Sequence, residues 1–592
     1  MGNPLRRIQR RLRRVLVSLC ALCALCGEQS FAGDPERIEA LVRGGAPKLA
    51  LMLLDQEQTA SLPPGQWMAW ERQRLAVYAA LRDWDALAGR AEHLPPDLPP
   101  EFRRYALVQA VEARLAAQDA EGARRYLRRL VFGERAGGAE LAQVRRLVIR
   151  SYLTENNLAD AQTALARYQQ DYNARGEAWQ TLHAEILMRA GKDRAAFDVA
   201  AGAQSHEARL MRLASALRAE IIKPAVALGQ AEKLADELRA KPALARKAWA
   251  AAAEAALRGR APAQRVLALE RALSLPGPGD DPLFGVEPED LWQAYERLAE
   301  SIGNAARLLV GNDRAWLAKA ESYKAADGHH ARALYAFLAA HAAEDSTRAA
   351  AHQRLADGLL KEGYGETLRE LYTRSARYGS VAAIPEVVRY RLADKALADF
   401  DIRLAAQLVK DLVRPPEDED AEFWRLRRAR VLIYAGDYHP ALVELSGMLD
   451  DKRSLEPDLA GRYLQVLFDL QTAGKHEEAA VLLESVYARV DNERMRREIL
   501  FWIADSKSAQ GRYQEAAEWY LRSATFNGAN GGDPWGETAR FHAAEALGRA
   551  GFIEDARGVY LKLLGGTEDP RRRAQIERNI QQLWLAQNAP TR

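Results

Sequence analysis

Residues that could perform metal or nucleophilic chemistry are few in this sequence of 592 residues, and its three cysteines all lie within the first 26. The cysteines, which could supply thiolates, are Cys20, Cys23 and Cys26. The ten histidines lack metal-ligand spacing, and the adjacent His329 and His330 would diverge by about 100° on a helix. The sequence therefore predicts no metal site and no cofactor site.

Two Glu-Ser pairs could belong to a glycan-cleaving site, because carboxyl groups act as the acid in glycoside cleavage. They are Glu300 with Ser301 in "AESIGN" and Glu321 with Ser322 in "AESYKA". Lytic transglycosylases, which cut peptidoglycan, follow such a pair with a Gly-Leu-Met-Gln-like segment, and neither pair here has one. No Gly-x-Ser-x-Gly, HExxH or Gly-x-Gly-x-x-Gly motif occurs. We predict no catalytic residue and no enzyme; a peptidoglycan hydrolase is the least favoured alternative.

Three aromatic residues near the C-terminus are candidates for ligand contact. Trp519, Tyr520 and Trp535 fall outside the register of the other tryptophans described below. Such rings could lie on an exposed surface and stack on sugars. They make polysaccharide an alternative partner.

The N-terminus is typical of a secretory signal peptide. Six arginines precede a 12-residue apolar run over 15–26, and Ser30 and Ala32 supply the small residues that a signal peptidase needs. The run is shorter than the roughly 20 residues that span a bilayer, and no later uncharged run reaches about 18. The sequence predicts cleavage near Ala32, a periplasmic location and no transmembrane segment in the mature chain. An outer-membrane lipoprotein is less favoured, since a leucine precedes each cysteine.

The basic pI of 8.6 belongs to the predicted signal peptide. Residues 1–32 carry six arginines and the single acid Glu28, so the net charge of +3 becomes about −2 after cleavage. The charge therefore gives no argument for nucleic-acid binding. A cleaved chain would also lack cysteine, which excludes disulfides and thiolate ligands.

A helix–turn–helix pattern recurs along the chain at intervals of 30 to 40 residues, with one longer gap. "VLIYAGDYHPALVEL" shows its parts: a glycine that ends one helix and an alanine five residues later, where a second helix crosses closely. The turn markers fall at 45, 82, 118, 156, 191, 222, 259, 328, 363, 398, 436, 474, 511 and 551.

The clearest units carry both the marker glycine and the alanine five residues later. In addition, four tryptophans stand twelve positions before a marker. The Gly-Ala pairs are Gly436 with Ala441, Gly474 with Ala479, Gly511 with Ala516, and Gly551 with Ala556. The tryptophans are Trp70, Trp179, Trp316 and Trp424, for which packing between units is expected. Larger residues at +9 fill the gap beside the alanines: Leu54, Phe337, Leu445, Leu483, Tyr520 and Tyr560.

This pattern resembles the tetratricopeptide repeat family, most clearly in "GDYHPALVEL", "GKHEEAAVLL", "GRYQEAAEWY" and "GFIEDARGVY". The resemblance implies an all-α fold, a right-handed α-solenoid of about 15 stacked helix hairpins, whose concave groove binds peptides or protein segments. The marker glycines are sparse over 200–300.

The domain prediction follows these breaks. We expect a signal peptide over 1–32, solenoid halves over 33–275 and 311–570, an irregular seam over 276–310, and a capping helix with a tail over 571–592. The predicted function is a non-catalytic scaffold of the bacterial cell envelope that binds partner proteins. The alternative is a glycan-binding or exopolysaccharide-export accessory protein.

Overall fold

The chain is described here from a computed structural model, which describes residues 35–59, 62–133, 138–172, 176–417, 419–450, 452–528 and 533–587. These residues contain α-helices, three single-turn 3-10 helices and no strand, so the predicted all-α class is confirmed. No helix in these ranges is long and apolar enough to cross a membrane. The predicted signal peptide, its cleavage position and the three cysteines lie outside the described residues.

The described helices fall into two compact units that divide between Lys223 and Pro224. In the first unit, each helix packs against the next one along the chain. Its helices are α1 (Pro35–Arg43), α2 (Pro47–Glu57), α3 (Pro64–Leu81), α4 (Trp84–Glu92), α5 (Pro100–Ala116), α6 (Ala120–Phe132), α7 (Gly138–Thr154), α8 (Leu158–Tyr172), α9 (Glu177–Arg189), α10 (Asp193–Ala200) and α11 (His206–Arg218).

The second unit continues the alternation of helices and short turns. Its helices are α12 (Pro224–Glu237), α13 (Pro242–Arg258), α14 (Pro262–Leu273), α15 (Pro288–Ala306), α16 (Asp313–Glu321), α17 (Gly328–His341), α18 (Asp345–Lys361), α19 (Gly365–Thr373), α20 (Glu386–Ala398), α21 (Ile402–Val409), α22 (Ala421–Ala435), α23 (Tyr438–Asp450), α24 (Pro457–Thr472), α25 (His476–Tyr487), α26 (Glu493–Ala509), α27 (Tyr513–Ala524), α28 (Pro534–Arg549), α29 (Ile553–Gly566) and α30 (Pro570–Gln587).

Most contacts in both units join helices that are neighbours in sequence or two apart, as α22 and α24 are. The exceptions involve α14 and α15: α14 contacts α17, and both α14 and α15 contact α19. These exceptions lie beside the predicted seam over 276–310, most of which is the single helix α15. The predicted domain boundaries stay predictions.

The repeat alanines lie where helices meet without space for a larger side chain. Ala441, Ala479, Ala516 and Ala556 have no exposed surface. Ala50 and Ala333 are buried in the same way. The residues four positions after these six alanines are also buried, each being 0–6% exposed: Leu54, Phe337, Leu445, Leu483, Tyr520 and Tyr560. Close contact at alanine, with bulk one turn later, is the arrangement that brings two helix axes together.

Helix ends use the left-handed conformation at most marker positions. Gly436 has φ +83°, and the amides of Gly436 and Asp437 donate to the carbonyls of Ile433 and Leu432 at 3.0 and 2.9 Å. This hydrogen-bond pattern ends a helix without a steric penalty at glycine. Glycines with positive φ also stand at 45, 191, 363, 474, 511 and 551.

Two marker glycines differ from the expected geometry. Gly328 has φ −57° and begins α17, and Gly259 has φ −79°. At the second position, Arg260 takes the left-handed conformation instead, with φ +53°. The expectation of a left-handed glycine is wrong at both positions because a neighbouring residue or a 3-10 turn makes the bend.

The register tryptophans occupy interior positions with one partial exception. Trp70, Trp316 and Trp424 are 2–6% exposed. Trp179 is half-buried and packs against His183 at 4.7 Å between ring centroids. At the C-terminal end, Ile576 of α30 is fully buried against α28 and α29.

Candidate functional site

The two Glu-Ser pairs lie on neighbouring helices: Glu300 and Ser301 on α15, and Glu321 and Ser322 at the end of α16. Ser301 donates its hydroxyl to the Leu298 carbonyl at 2.7 Å, and Ser322 donates to Lys319 at 2.7 Å. Glu321 pairs with Arg354. Among the described residues, no group of three or more His, Cys, Asp or Glu side chains could hold a metal ion.

The C-terminal aromatic candidates belong largely to the interior of the second unit. Tyr520 is 2% exposed, and its ring contacts those of Phe501 and His542 at 5.1 and 5.5 Å. Burial and the nearby Asp505 raise the pKa of Tyr520. The expectation that Tyr520 lies on an exposed surface is therefore wrong. Tyr520 stands four residues after the buried Ala516, on the same face of the helix, so it also faces the partner helix.

The two tryptophans of this group are half-buried and already in contact with the chain. The Arg522 guanidinium lies 4.1 Å from the centroid of Trp519. Trp535 packs on Phe501 at 5.2 Å, and its indole nitrogen donates to the Ser523 hydroxyl at 3.2 Å. A ligand stacking on Trp519 would compete with Arg522. A binding role for either tryptophan stays a prediction.

Two clefts flank Pro262, which begins α14, and the sequence did not single out either of them. The arginine cleft has a volume of about 250 Å³. Its lining residues are Ala256, Leu257, Arg260, Ala261, Pro262, Arg265, Ala294 and Arg297. The histidine cleft, at about 440 Å³, is lined by Pro262, Ala263, Gln264, Leu298, Ser301, Ile302, Ala305, Ala306, Lys319, Tyr323 and His330.

Local sequence explains why the wall between the two clefts starts at Pro262. Proline suits the first turn of a helix, where its missing amide hydrogen costs nothing. The preceding Ala261 provides no side-chain cap to α14, and the left-handed Arg260 turns the chain sharply from α13. This turn therefore places Arg260 and Arg265 around the same opening.

The arginine cleft concentrates positive charge. Arg265 is 8% exposed, and its Nη1 atom is buried without a hydrogen-bond partner. Its Nη2 atom lies 3.8 Å from Asp290. Burial lowers the pKa of Arg265, and repulsion from Arg297 lowers it further. The exposed Arg260 and Arg297 complete the group.

The histidine cleft combines an apolar wall with polar and aromatic groups. The rings of Tyr323 and His330 stack at 5.1 Å with an interplanar angle of 15°, and the Lys319 ammonium lies 5.1 Å from the Tyr323 centroid. Burial lowers the pKa of His330 and raises that of Tyr323. Burial and the neighbouring His330 lower the pKa of His329 to about 4. Of the two histidines, His330 lines the cleft, where its ring is available for stacking and hydrogen bonding.

A buried ionic group fixes the helices that form both clefts. Glu270 of α14 accepts from both Nε and Nη2 of Arg332 at 2.7 and 2.6 Å. The Tyr295 hydroxyl donates to the same carboxylate at 2.7 Å, and Thr367 donates to the Glu270 backbone carbonyl at 2.8 Å. These contacts join α14, α15, α17 and α19. They hold the cleft walls in place.

Comparison with known proteins adds little to this description. No family model matches the chain. No curated protein matches it. Among solved structures, the crystal structure of yeast Tom70 is similar over 83% of this chain and 97% of that one, with 10% sequence identity and a TM-score of 0.22. A likeness this weak carries no argument about function, so the proposals below rest on this chain alone.

Proposed function

We propose that this chain is a non-catalytic interaction scaffold of the tetratricopeptide-repeat type that binds partner proteins or peptide segments. The serial hairpins support a right-handed solenoid, because a single hairpin cannot cover its own apolar face and must stack on neighbours. The N-terminal sequence pattern supports export to the periplasm and a role in the bacterial cell envelope.

The observation that carries this proposal is the histidine cleft. It collects side chains from α14, α15, α16 and α17, and its volume of about 440 Å³ lies within the usual range for ligand pockets. Leu298 and Ile302 offer an apolar wall, while Lys319 and Gln264 offer hydrogen-bond donors. A wall of this kind suits an apolar side chain of a peptide whose backbone needs polar partners.

Affinity capture from bacterial envelope extracts tests the scaffold proposal. The chain should recover the same protein partners in repeated experiments. Gln264→Trp places a bulky ring in the histidine cleft, and we expect it to lower partner affinity about tenfold or more. Gln230 is exposed on α12 and lines neither cleft, so Gln230→Trp is the matched control.

Two outcomes would count against the proposal. Failure to recover any reproducible protein partner contradicts the scaffold function itself. If Gln264→Trp and Gln230→Trp recover the partner equally well, the partner binds outside the histidine cleft.

The glycan-binding alternative rests on Trp519 and Trp535, whose half-buried rings retain some exposed surface. If a polysaccharide stacks on these rings, Trp519→Ala and Trp535→Ala should weaken binding on a glycan array or in peptidoglycan sedimentation. Unchanged or absent binding removes this alternative. The hydrolase alternative requires turnover of purified peptidoglycan that disappears in Glu300→Gln, and we expect no turnover.

A further inference from the structure

We propose that the arginine cleft is a binding site for a small oxyanion, a carboxylate or phosphate group on a body of a few non-hydrogen atoms. The inference goes beyond the scaffold function and stands independently of it. It rests on three features of the cleft: convergent positive charge, a buried guanidinium with an unused donor, and an apolar lining of limited volume.

The chain neutralises the charge in the cleft only in part. Arg260, Arg265 and Arg297 all line it, and no carboxylate is among the lining residues. The nearest acid to Arg265 is Asp290, 3.8 Å from Nη2, a separation too long for a hydrogen bond. Like charges brought together at a partly buried place destabilise the fold unless a counter-charge joins them.

Arg265 supplies the observation that points to a ligand. Only 8% of the residue is exposed, and Nη1 has no hydrogen-bond partner. Buried donors in native proteins are nearly always satisfied, so Nη1, which is closed to solvent beside the cleft, needs an oxygen of a water or of an anion that reaches it by a small movement of the cleft wall. A planar guanidinium offers paired donors that match the oxygens of a carboxylate or a phosphate.

The beginning of α14 adds to the attraction for an anion. This helix has 12 residues, starts at Pro262 in the cleft lining, and lacks a side-chain cap. The amino end of a helix carries partial positive charge and favours anions. The helix end therefore acts in the same direction as the three guanidinium groups.

The lining limits what else the ligand can carry. At about 250 Å³, the cleft is smaller than pockets that hold drug-sized molecules. Ala256, Ala261, Pro262 and Ala294 give it an apolar surface, which suits a short hydrocarbon group. Inorganic phosphate represents a phosphate group and propionate represents a carboxylate. Comparison of their affinities identifies which anionic group the cleft prefers.

Isothermal titration calorimetry of the full chain with inorganic phosphate, and separately with propionate, tests the site. We expect saturable binding of at least one anion at a single site. Arg265→Met should lower that affinity at least tenfold, and Arg297→Gln about threefold or more. Arg239, exposed and paired only with Asp236, provides the control Arg239→Met, which should leave affinity unchanged.

Thermal unfolding separates a binding role from a structural one. Because Arg265 is buried without a full partner, Arg265→Met should unfold at an equal or higher temperature than the wild type in anion-free buffer. The bound anion should raise the unfolding temperature of the wild type and not that of this variant, since a ligand stabilises only the state that binds it.

Two results would overturn the proposal. These are no saturable binding of either anion at millimolar concentration, and equal affinity in Arg265→Met and Arg239→Met. Arg297 lies exposed on the rim, so Arg297→Gln keeps the binding test decisive should Arg265→Met fold poorly. Unchanged affinity in Arg297→Gln would then overturn the site.

Discussion

At the scale of single residues, the most buried acid of the second unit has a structural role. Glu270 has no exposed surface, and its carboxylate is occupied by the Arg332 fork and the Tyr295 hydroxyl. Burial, together with the charge on Glu270, raises the pKa of Tyr295. Both carboxylate oxygens accept hydrogen bonds from neighbouring helices, so Glu270 holds α14 to α15 and α17.

Removing one member of this pair should cost more stability than removing both. Arg332→Met leaves the Glu270 carboxylate buried and unpaired, and we expect a loss of about 3–5 kcal/mol in the free energy of unfolding. The double change Glu270→Leu with Arg332→Met should recover most of that loss, because neither charge is then buried alone. Urea unfolding followed by tryptophan fluorescence measures both.

The ion pair of the exposed Arg374 with the largely buried Glu370 provides the comparison for this prediction. Arg374 is 65% exposed at its side chain, so Arg374→Met should change stability by less than about 1 kcal/mol. A loss for Arg332→Met no larger than that for Arg374→Met would show that the buried pair does not hold α14 to α17.

At the scale of helices, the sequence predicts where hairpins turn better than which residue makes the turn. Arg82, Gln118 and Asn156 have positive φ at the predicted markers, although none is a glycine. The markers at 222 and 398 fall two residues from the left-handed Glu220 and Phe400. Spacing follows from helix length and packing, whereas a non-glycine turn depends on contacts that offset about 1–2 kcal/mol of strain.

Two glycines in the hairpin of α28 and α29 allow the effect of backbone conformation on stability to be measured separately from the effect of an added methyl group. Gly551 has φ +88° and Gly558 lies within α29, and a Cβ at either would meet no atom within 4 Å. We expect Gly551→Ala to destabilise the chain by about 1–2 kcal/mol. Gly558→Ala should stabilise it by about 0.5–1 kcal/mol, because alanine favours a helix interior. Thermal unfolding measures both; equal effects would contradict the argument.

At the scale of the whole molecule, the candidate clefts were beyond sequence analysis for a physical reason. Arg260 and Arg265 precede the turn-rich stretch over 274–290, and Arg297 follows it inside the predicted seam over 276–310. That segment is fixed by contacts that no local pattern records: Arg246 donates to the carbonyls of Leu275 and Val286 at 2.8 and 3.2 Å. The periodic positions could be predicted because they repeat. The clefts could not be predicted, since they lie where the repeat is interrupted.

A chain built from neighbour contacts should also lose structure locally. Ile576 of α30 is fully buried against α28 and α29, so Ile576→Ala should remove about 2–5 kcal/mol from that region. Hydrogen exchange followed by mass spectrometry should show lost protection over 534–587 and unchanged protection over 242–273, because helices so far apart in sequence share no contacts. Leu585→Ala, at an exposed position on α30, should leave both ranges unchanged. Equal loss over both ranges in Ile576→Ala would mean that the second unit unfolds as one cooperative body, which a stack of hairpins held only by nearest neighbours should not do.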